Sequence, residues 1–437
     1  MEAKTPGRMP KEEMTLSSEI DPQNRNEISF RLKQVQAKDV THSGGRGEPF
    51  HDWFPYLEGY SSQFVKQILE AKFNNPKSLL EPFCGVGTTP IALAQLGISC
   101  GYTEVNPFLV ELVTLKAACL KMSPAQRDEA IKGLRNLKMR VSVGERERTH
   151  EALRVSYLAV FGTAQYFRSD AFDEVLSLKS IESSIVSDTL LNSFFRMAVA
   201  CSLLEASLLR RAGDVRFKTE KELQKPIRSI SDLVIDKLSL FENDLNSVAQ
   251  LKAPEIKLLG SNAKNLVLGN AAKYDGVITS PPYLNGTNYI RNMKLELWYL
   301  GYLSKKSDLG EFRKAVVTSA INDVSKTSGL LIVDEAKEIV DAVSNSCYDA
   351  RIPRMIAGYF EHMKLVAEGI FAQVQDGAPV CIDIGDSVYG GIHVPTHEIL
   401  SAVFGNVGLT LEDEVILRKR HSNRGAALSQ RLLIFRK

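Results

Sequence analysis

The chain has 437 residues, long for one domain, so a catalytic domain carrying an elaboration is expected. Hydrophobic residues make up 44% and charged residues 24%, an ordinary globular balance with ample material for a core. No stretch reaches the roughly 18–20 uncharged apolar residues that a membrane span needs. The net charge of +2 excludes a global polycation, so a nucleic-acid face has to come from local asymmetry.

Residues 1–46 are polar and non-periodic and are expected to form a loose arm or a surface-docked extension. The start lacks the basic-then-apolar pattern of a signal peptide. The six cysteines, Cys84, Cys100, Cys119, Cys201, Cys347 and Cys381, are scattered without a CxxC pair. That argues against a zinc site or a disulfide framework and fits a reducing compartment, so the cytoplasm is the expected location. From Ser78 the pattern alternates strand and helix: Ser78–Phe83 as a buried strand, Thr88–Leu96 as a helix, Ile98–Glu104 as a strand and Pro107–Leu120 as a helix. This order implies a parallel sheet. From about Ser123 to Ala253 the spacing is mostly helical; Leu190, Phe194, Met197, Cys201, Leu204 and Leu208 step by four and three along one face. Strands return at Ile256–Leu259, Asp275–Thr279 and Pro379–Ile384, and Leu411–Leu417 with Arg431–Phe435 reads as an antiparallel pair. The expected architecture is a doubly wound, Rossmann-like α/β domain in two parts, 47–122 and 254–437. A helical insert at 123–253 interrupts it, and an antiparallel strand pair closes it.

Two strings carry chemistry. In Glu81-Pro82-Phe83-Cys84-Gly85-Val86-Gly87-Thr88-Thr89, between a strand and a helix, the glycines permit a tight turn and close approach to a ligand. Glu104 ends the next strand, where a carboxylate can accept hydrogen bonds from both hydroxyls of a ribose. The second string is Ser280-Pro281-Pro282-Tyr283, where a strand ends. Two prolines stiffen the backbone and remove two N–H donors, which leaves carbonyls free as acceptors. An exocyclic amino group is conjugated with its ring and weakly nucleophilic. Acceptors from the Ser280 side chain and the Pro281 carbonyl favour an sp³-like nitrogen that can attack a methyl carbon in line. Tyr283 offers an aromatic face for a flipped base.

With EPFCGVGTT, EVNP (Glu104-Val105-Asn106-Pro107) and TSPPY in place, the sequence resembles the amino-methyltransferase family of DNA modification enzymes, which carry FxGxG and [DNS]PP[YFW] motifs. The segment His51–Phe64, with Tyr56, is similar to the family's N-terminal helix motif, which packs over the methionine part of the cofactor. Asn288–Trp298 is similar to the segment after the catalytic loop, and Ile384–Ser387 with Gly390, Gly391 and Val394–Thr396 to the late strand and turn. The resemblance covers roughly 48–120 and 255–437. It implies S-adenosylmethionine as cofactor, held by Tyr56, Glu81, Pro82, Phe83, Gly85, Gly87, Thr88, Thr89, Glu104, Val105, Asn106, Ser261, Asn262 and Ser280. It also implies catalysis by Ser280, Pro281, Pro282 and Tyr283. Ser in the first catalytic position is typical of cytosine-N4 enzymes and Asp or Asn of adenine-N6 enzymes. The expected activity is therefore cytosine-N4 methylation of double-stranded DNA in restriction-modification or phage defence, beside a cognate endonuclease where the system has one, as a monomer or homodimer. Adenine-N6 methylation and RNA amino-methylation are the alternatives.

Two features depart from the family's pattern. The third-strand position, often acidic, reads Gly260-Ser261-Asn262, and about 195 residues separate the two main motifs. A cytosine-C5 enzyme would need a Pro-Cys nucleophile, and no cysteine follows a proline. Basic clusters at Arg210, Arg211, Arg216 and Lys218 and at Arg418, Lys419, Arg420 and Arg424, with Tyr289 and Arg291, are the candidates for nucleic-acid contact. The insert is expected to pack beside the cleft as a separate helical lobe carrying much of that contact.

Overall fold

The computed structural model describes residues 35–144, 150–187, 189–248, 254–268, 273–324, 331–422 and 425–437. Most of the arm, 1–34, and Arg424 lie outside the described residues. Residues 35–46 dock against the domain; Val40 is buried with Phe64 and Ile68 in one apolar cluster.

Helix α1 (Ser62–Lys72) starts where the Ser61 hydroxyl accepts from the Phe64 N–H at 3.2 Å, a side-chain cap for an otherwise orphaned amide. Strand β1 (Ser78–Glu81) leads through the glycine loop into α2 (Thr88–Gln95), and β2 (Ser99–Thr103) leads into α3 (Pro107–Lys121). Asn106 caps α3, and Pro107 occupies the first turn, where a missing N–H costs nothing. The insert comprises α4 (Pro124–Val143), α5 (Glu151–Phe161), α6 (Ser169–Ser184) and α7 (Leu190–Ala206), then the hairpin β3 (Leu209–Arg210) and β4 (Arg216–Phe217), then α8 (Glu220–Leu223) and α9 (Ile230–Ser247). The second part runs β5 (Ile256–Gly260), β6 (Val277–Thr279), α10 (Lys294–Tyr299), α11 (Asp308–Ala315), α12 (Lys337–Ser346) and α13 (Arg351–Gln373). It closes with β7 (Pro379–Gly385), a small hairpin β8 (Ser387–Tyr389) and β9 (Ile392–Val394), α14 (Thr396–Val407), β10 (Thr410–His421) and β11 (Ala427–Arg436).

Seven strands form one sheet in the order β10-β11-β7-β6-β1-β2-β5. Strands β5, β2, β1, β6 and β7 are parallel to their neighbours in that series, and β11 is antiparallel to both β7 and β10. This is a doubly wound α/β sheet with one reversed strand next to its edge. No helix among the described residues is long and apolar enough to cross a membrane.

The insert differs from expectation in three ways. Helix α7 buries Phe194, Phe195, Met197, Val199 and Leu203, so it is the insert's central helix and not one with a single buried face; Leu208 lies beyond its end. The basic run Arg210–Lys218 contains a two-stranded hairpin, with Arg210 opposite Arg216. Strands of two residues are too short to leave a periodic signal. Finally, the insert is not a separate lobe. One apolar cluster runs from Phe108 and Leu112 of α3 through Trp53 to Phe194 and Phe241 and on to Trp298. Trp53 lies 4.1 Å from Phe241 between ring centroids, and its indole N–H donates to Asp244 Oδ2 at 2.7 Å, as does the Phe50 N–H.

A shared core predicts one cooperative unfolding transition. Trp53→Ala should lower stability by about 3–5 kcal/mol, the range for emptying a buried aromatic site. Urea titrations followed by far-UV signal and by aromatic fluorescence should shift together; two separated transitions would show an independently folding insert.

Candidate active site

The strand order reverses between β1 and β6, the place where α/β sheets open a crevice at the carboxyl ends of their strands. A cavity of ≈ 1050 Å³, part of it open to solvent, lies there. Both chemistry-bearing loops line it: Pro82, Phe83, Gly85 and Thr88 from one, and Ser280, Pro281 and Pro282 from the other. Tyr56, Glu104, Val105, Asn106, Asn262 and Tyr289 complete the wall together with Glu58, Asn288 and Asp323.

At the first end Gly85 has φ 53, and a Cβ there would lie 3.1 Å from the Tyr56 ring. Only glycine suits both constraints. The Gly85 N–H donates to Glu104 Oε2 and the Asn106 N–H to Oε1, each at 2.8 Å. Those two backbone donors fix the half-buried carboxyl, while burial pushes its pKa up to about 7. Four residues expected here sit elsewhere. Ser261 is exposed outside the cavity. Gly87 faces Val113, 2.7 Å from where its Cβ would be. Glu81 and Thr89 lie beneath the loop, both 1% exposed, and both bond to the Tyr60 hydroxyl.

At the second end Tyr283 corrects an expectation. Its side chain is 3% exposed and does not line the cavity. The hydroxyl is drawn inward, donating to Asp383 Oδ2 at 2.8 Å and accepting from Gln430 Nε2 at 2.9 Å. The Arg420 guanidinium stands 5.8 Å from its ring centroid. The aromatic residues that line the cavity are Tyr56, Tyr60, Phe83 and Tyr289, and the Tyr56 and Tyr289 ring centroids are 6.4 Å apart. Burial pushes Asp383 up to about 6, while hydrogen bonds from Gln430 and Tyr283 pull it down and Ser280 lies near enough to act in the same direction.

Sequence reasoning missed Asp383 and Glu58. Asp383 carried a signal, a lone acid inside a strand buried along its whole length. Glu58 carried none. It occupies the left-handed region at φ 60, which costs a non-glycine residue strain. Its carboxylate accepts from Asn285 Nδ2, Thr287 Oγ1 and the Tyr289 hydroxyl, all just past the Ser280–Tyr283 loop. Burial raises its pKa, against the pull of those donors.

Most expected phosphate contacts have protein partners. Arg211 Nη2 bonds Glu296 Oε1 at 2.9 Å, with side chains 11% and 1% exposed, and its guanidinium lies 4.5 Å from the Phe54 ring centroid. Arg210 and Arg216 share Glu222. Lys218 Nζ donates to the Glu205 and Ser207 carbonyls. Arg291 pairs with Asp214 at 2.7 Å, and Arg420 Nη2 donates to the Asp386 carbonyl at 3.0 Å. Arg418 is half-buried on β10, and its Nε has no acceptor among the described residues.

No family model matches the chain. It is 24% identical over 422 residues to the Type II methyltransferase M.AvaI of Nostoc sp., covering 88% of this chain and 84% of that protein. It is 23% identical over 440 residues to the Type II methyltransferase M.BsoBI of Geobacillus stearothermophilus, with the same coverage of 88% and 84%. Among solved structures, the rRNA methyltransferase aviRa from Streptomyces viridochromogenes aligns with a TM-score of 0.30 and 10% identity over 88% of this chain and 89% of that one, a likeness too slight to carry an argument.

Glu58→Ala should leave three donors without their acceptor. The expected loss is about 2 kcal/mol in urea denaturation, with faster amide exchange confined to residues around 285–289 and substantial recovery in Glu58→Gln. Unchanged exchange there would show that Glu58 does not hold residues 285–289.

Proposed function

We propose that this protein transfers a methyl group from S-adenosylmethionine to the exocyclic amino nitrogen of a base flipped out of double-stranded DNA, with cytosine N4 as the target. The observation that carries this reading is a single cavity lined both by a ribose-type carboxylate, Glu104, and by the Ser280-Pro281-Pro282 acceptor loop. The Type II methyltransferases similar to most of the chain support it and suggest a restriction-modification setting.

The residues present fit the donor molecule. Glu104 is held with both oxygens fixed, so a diol can be gripped without reorganisation, and the left-handed Gly85 lets a ligand approach the loop backbone. When bound, S-adenosylmethionine supplies an electrophilic methyl carbon on a sulfonium. The Ser280 hydroxyl and the Pro281 carbonyl accept the two N–H groups of the amine and shift its lone pair out of conjugation. A C–N bond made in this way would break the methyl–sulfur bond, and the amine would give up one proton, which Ser280 can take up and pass toward the buried Asp383 carboxylate near it. A buried carboxyl near pKa 6 is matched to that task. Tyr289, lining the cavity, offers the flat face for the base.

The reading is tested by incubating the protein with unmodified DNA and labelled donor, digesting to nucleosides and identifying the product by mass spectrometry. N4-methyldeoxycytidine is expected. Ser280→Ala should lower kcat roughly 10²-fold with donor affinity nearly unchanged, since it removes an acceptor used in the reacting geometry. N6-methyladenine would reassign the base, and full turnover in Ser280→Ala would remove Ser280 from the chemistry.

The raised pKa of Glu104 makes donor binding pH-dependent. Near pH 6 the free carboxyl is mostly protonated and grips a diol poorly. Affinity should climb as pH rises through about 7, with proton release on binding. Its contribution to folding has the opposite sense: present in full below the ordinary carboxylate range, lost as pH rises through about 7. Glu104→Gln should flatten the calorimetric pH profile and weaken binding at pH 8 by about 1–3 kcal/mol. A profile that keeps its slope in the variant would assign the titration to another group.

A further inference from the structure

One buried donor in the cavity has no acceptor among the described residues. Asn288 is 2% exposed and lines the cavity along with Ser280, Pro281 and Pro282. The Arg291 N–H donates to its Oδ1 at 2.9 Å, so the oxygen is turned to the chain and Nδ2 is the donor end. The backbone is clamped too. The Asn288 N–H donates to the Gly213 carbonyl at 2.9 Å, and the Asn288 carbonyl accepts from the Asn292 N–H at 3.0 Å. Asn292 Nδ2 in turn donates to the carbonyls of Ala212 and Gly213 at 3.1 and 3.2 Å. The amide therefore cannot rotate freely to find a partner, yet Nδ2 makes no hydrogen bond to any described residue. An unmet buried donor, fixed by its surroundings in a residue that lines a cavity, is suited to an acceptor on a ligand.

Its place selects the ligand. The first end of the cavity is built by residues following β1, β2 and β5, whereas Asn288 follows Ser280 on the same loop and precedes Tyr289. A base whose amino group rests on Ser280 and Pro281 presents, one ring position away, the atom beside C4. In cytosine that atom is N3, an acceptor; in thymine it carries a hydrogen and would face a donor with a donor. Resting on the methyl-transfer reading, we propose that Asn288 Nδ2 donates to the ring nitrogen adjacent to the target amino group, so that Asn288 is a base-selecting residue. Together with the two acceptors on the amine it fixes the edge of the base in its plane. The insert has a part in this, because the tip of its β3–β4 hairpin holds the Asn288 backbone.

The test uses the full chain and a duplex containing its methylation site, mapped by sequencing modified DNA. The target cytosine is replaced by 3-deazacytosine, which keeps the amine and exchanges N3 for a CH group (1-deazaadenine if the methyl group is found on adenine). The wild-type protein should lose roughly 10- to 10²-fold in kcat/KM on the analogue, the range for one lost hydrogen bond to a fixed donor. Asn288→Ala should show a similar loss on the normal base and little further loss on the analogue, with donor affinity unchanged; this non-additivity is the signature of direct contact. The wild-type comparison needs no variant, so a poorly folding Asn288→Ala leaves the idea exposed to refutation. Equal wild-type rates on both bases, or fully additive losses in the variant, overturn the assignment while methyl transfer stands. Absence of DNA methylation by the wild-type protein overturns the methyl-transfer reading and this assignment with it.

Discussion

The buried carboxyl of Glu81 is the joint on which the two loops depend. The side chain is 1% exposed and accepts from the Phe83 N–H and the Tyr60 hydroxyl at 2.9 Å each, and from the Thr279 hydroxyl. Phe83 opens the glycine loop, Thr279 ends β6 immediately before Ser280, and Tyr60 belongs to a segment that lines the cavity. Burial works against the charged form and pushes this carboxyl up to about 7. Such a group is expensive unless its lone pairs are met. Here donors from three chain segments meet them, so the position of one loop is referred to that of the other.

The segment Tyr56–Tyr60 extends the same logic. Tyr56 covers Gly85, Tyr60 reaches Glu81, and Glu58 between them turns the opposite way to the arm at Asn285, Thr287 and Tyr289. One short stretch thus touches both ends of the site. The insert braces the arm from the other side. Arg211 reaches Glu296, Asp214 reaches Arg291, and Gly213 reaches Asn288. The long spacing between the two motifs therefore serves the segment at 285–292 as well as any contact made farther out.

Local chemistry was legible in the sequence where it demands particular residue types at fixed spacing. The Gly85 turn, Glu104 at the end of β2 and the Ser-Pro-Pro loop were all found that way, and the main strands followed from short apolar runs bounded by turn residues. What stayed hidden depends on partners far along the chain. Glu296 neutralises Arg211 and Asp383 turns Tyr283 inward, across separations that no window of sequence covers. Asn288 is an ordinary loop asparagine until Arg291 fixes its amide and the insert fixes its backbone.

The basic hairpin shows how magnitude divides residues that look alike in sequence. Arg210 and Arg216 are 58% and 44% exposed and meet Glu222 in water, where an ion pair is worth little and is screened by salt. Exchanging that partner for a phosphate is inexpensive, so both arginines remain available to a phosphate. Arg211 sits beside them in the chain but pairs with a carboxylate that is 1% exposed. Removing one member of a buried pair strands the other, at about 3–5 kcal/mol, more than a phosphate contact at the surface returns. Arg211 therefore belongs to the fold. Neutralising all three together would mix a loss of stability with a loss of charge, and only Arg210 and Arg216, changed without Arg211, can report on phosphate through the salt dependence of binding.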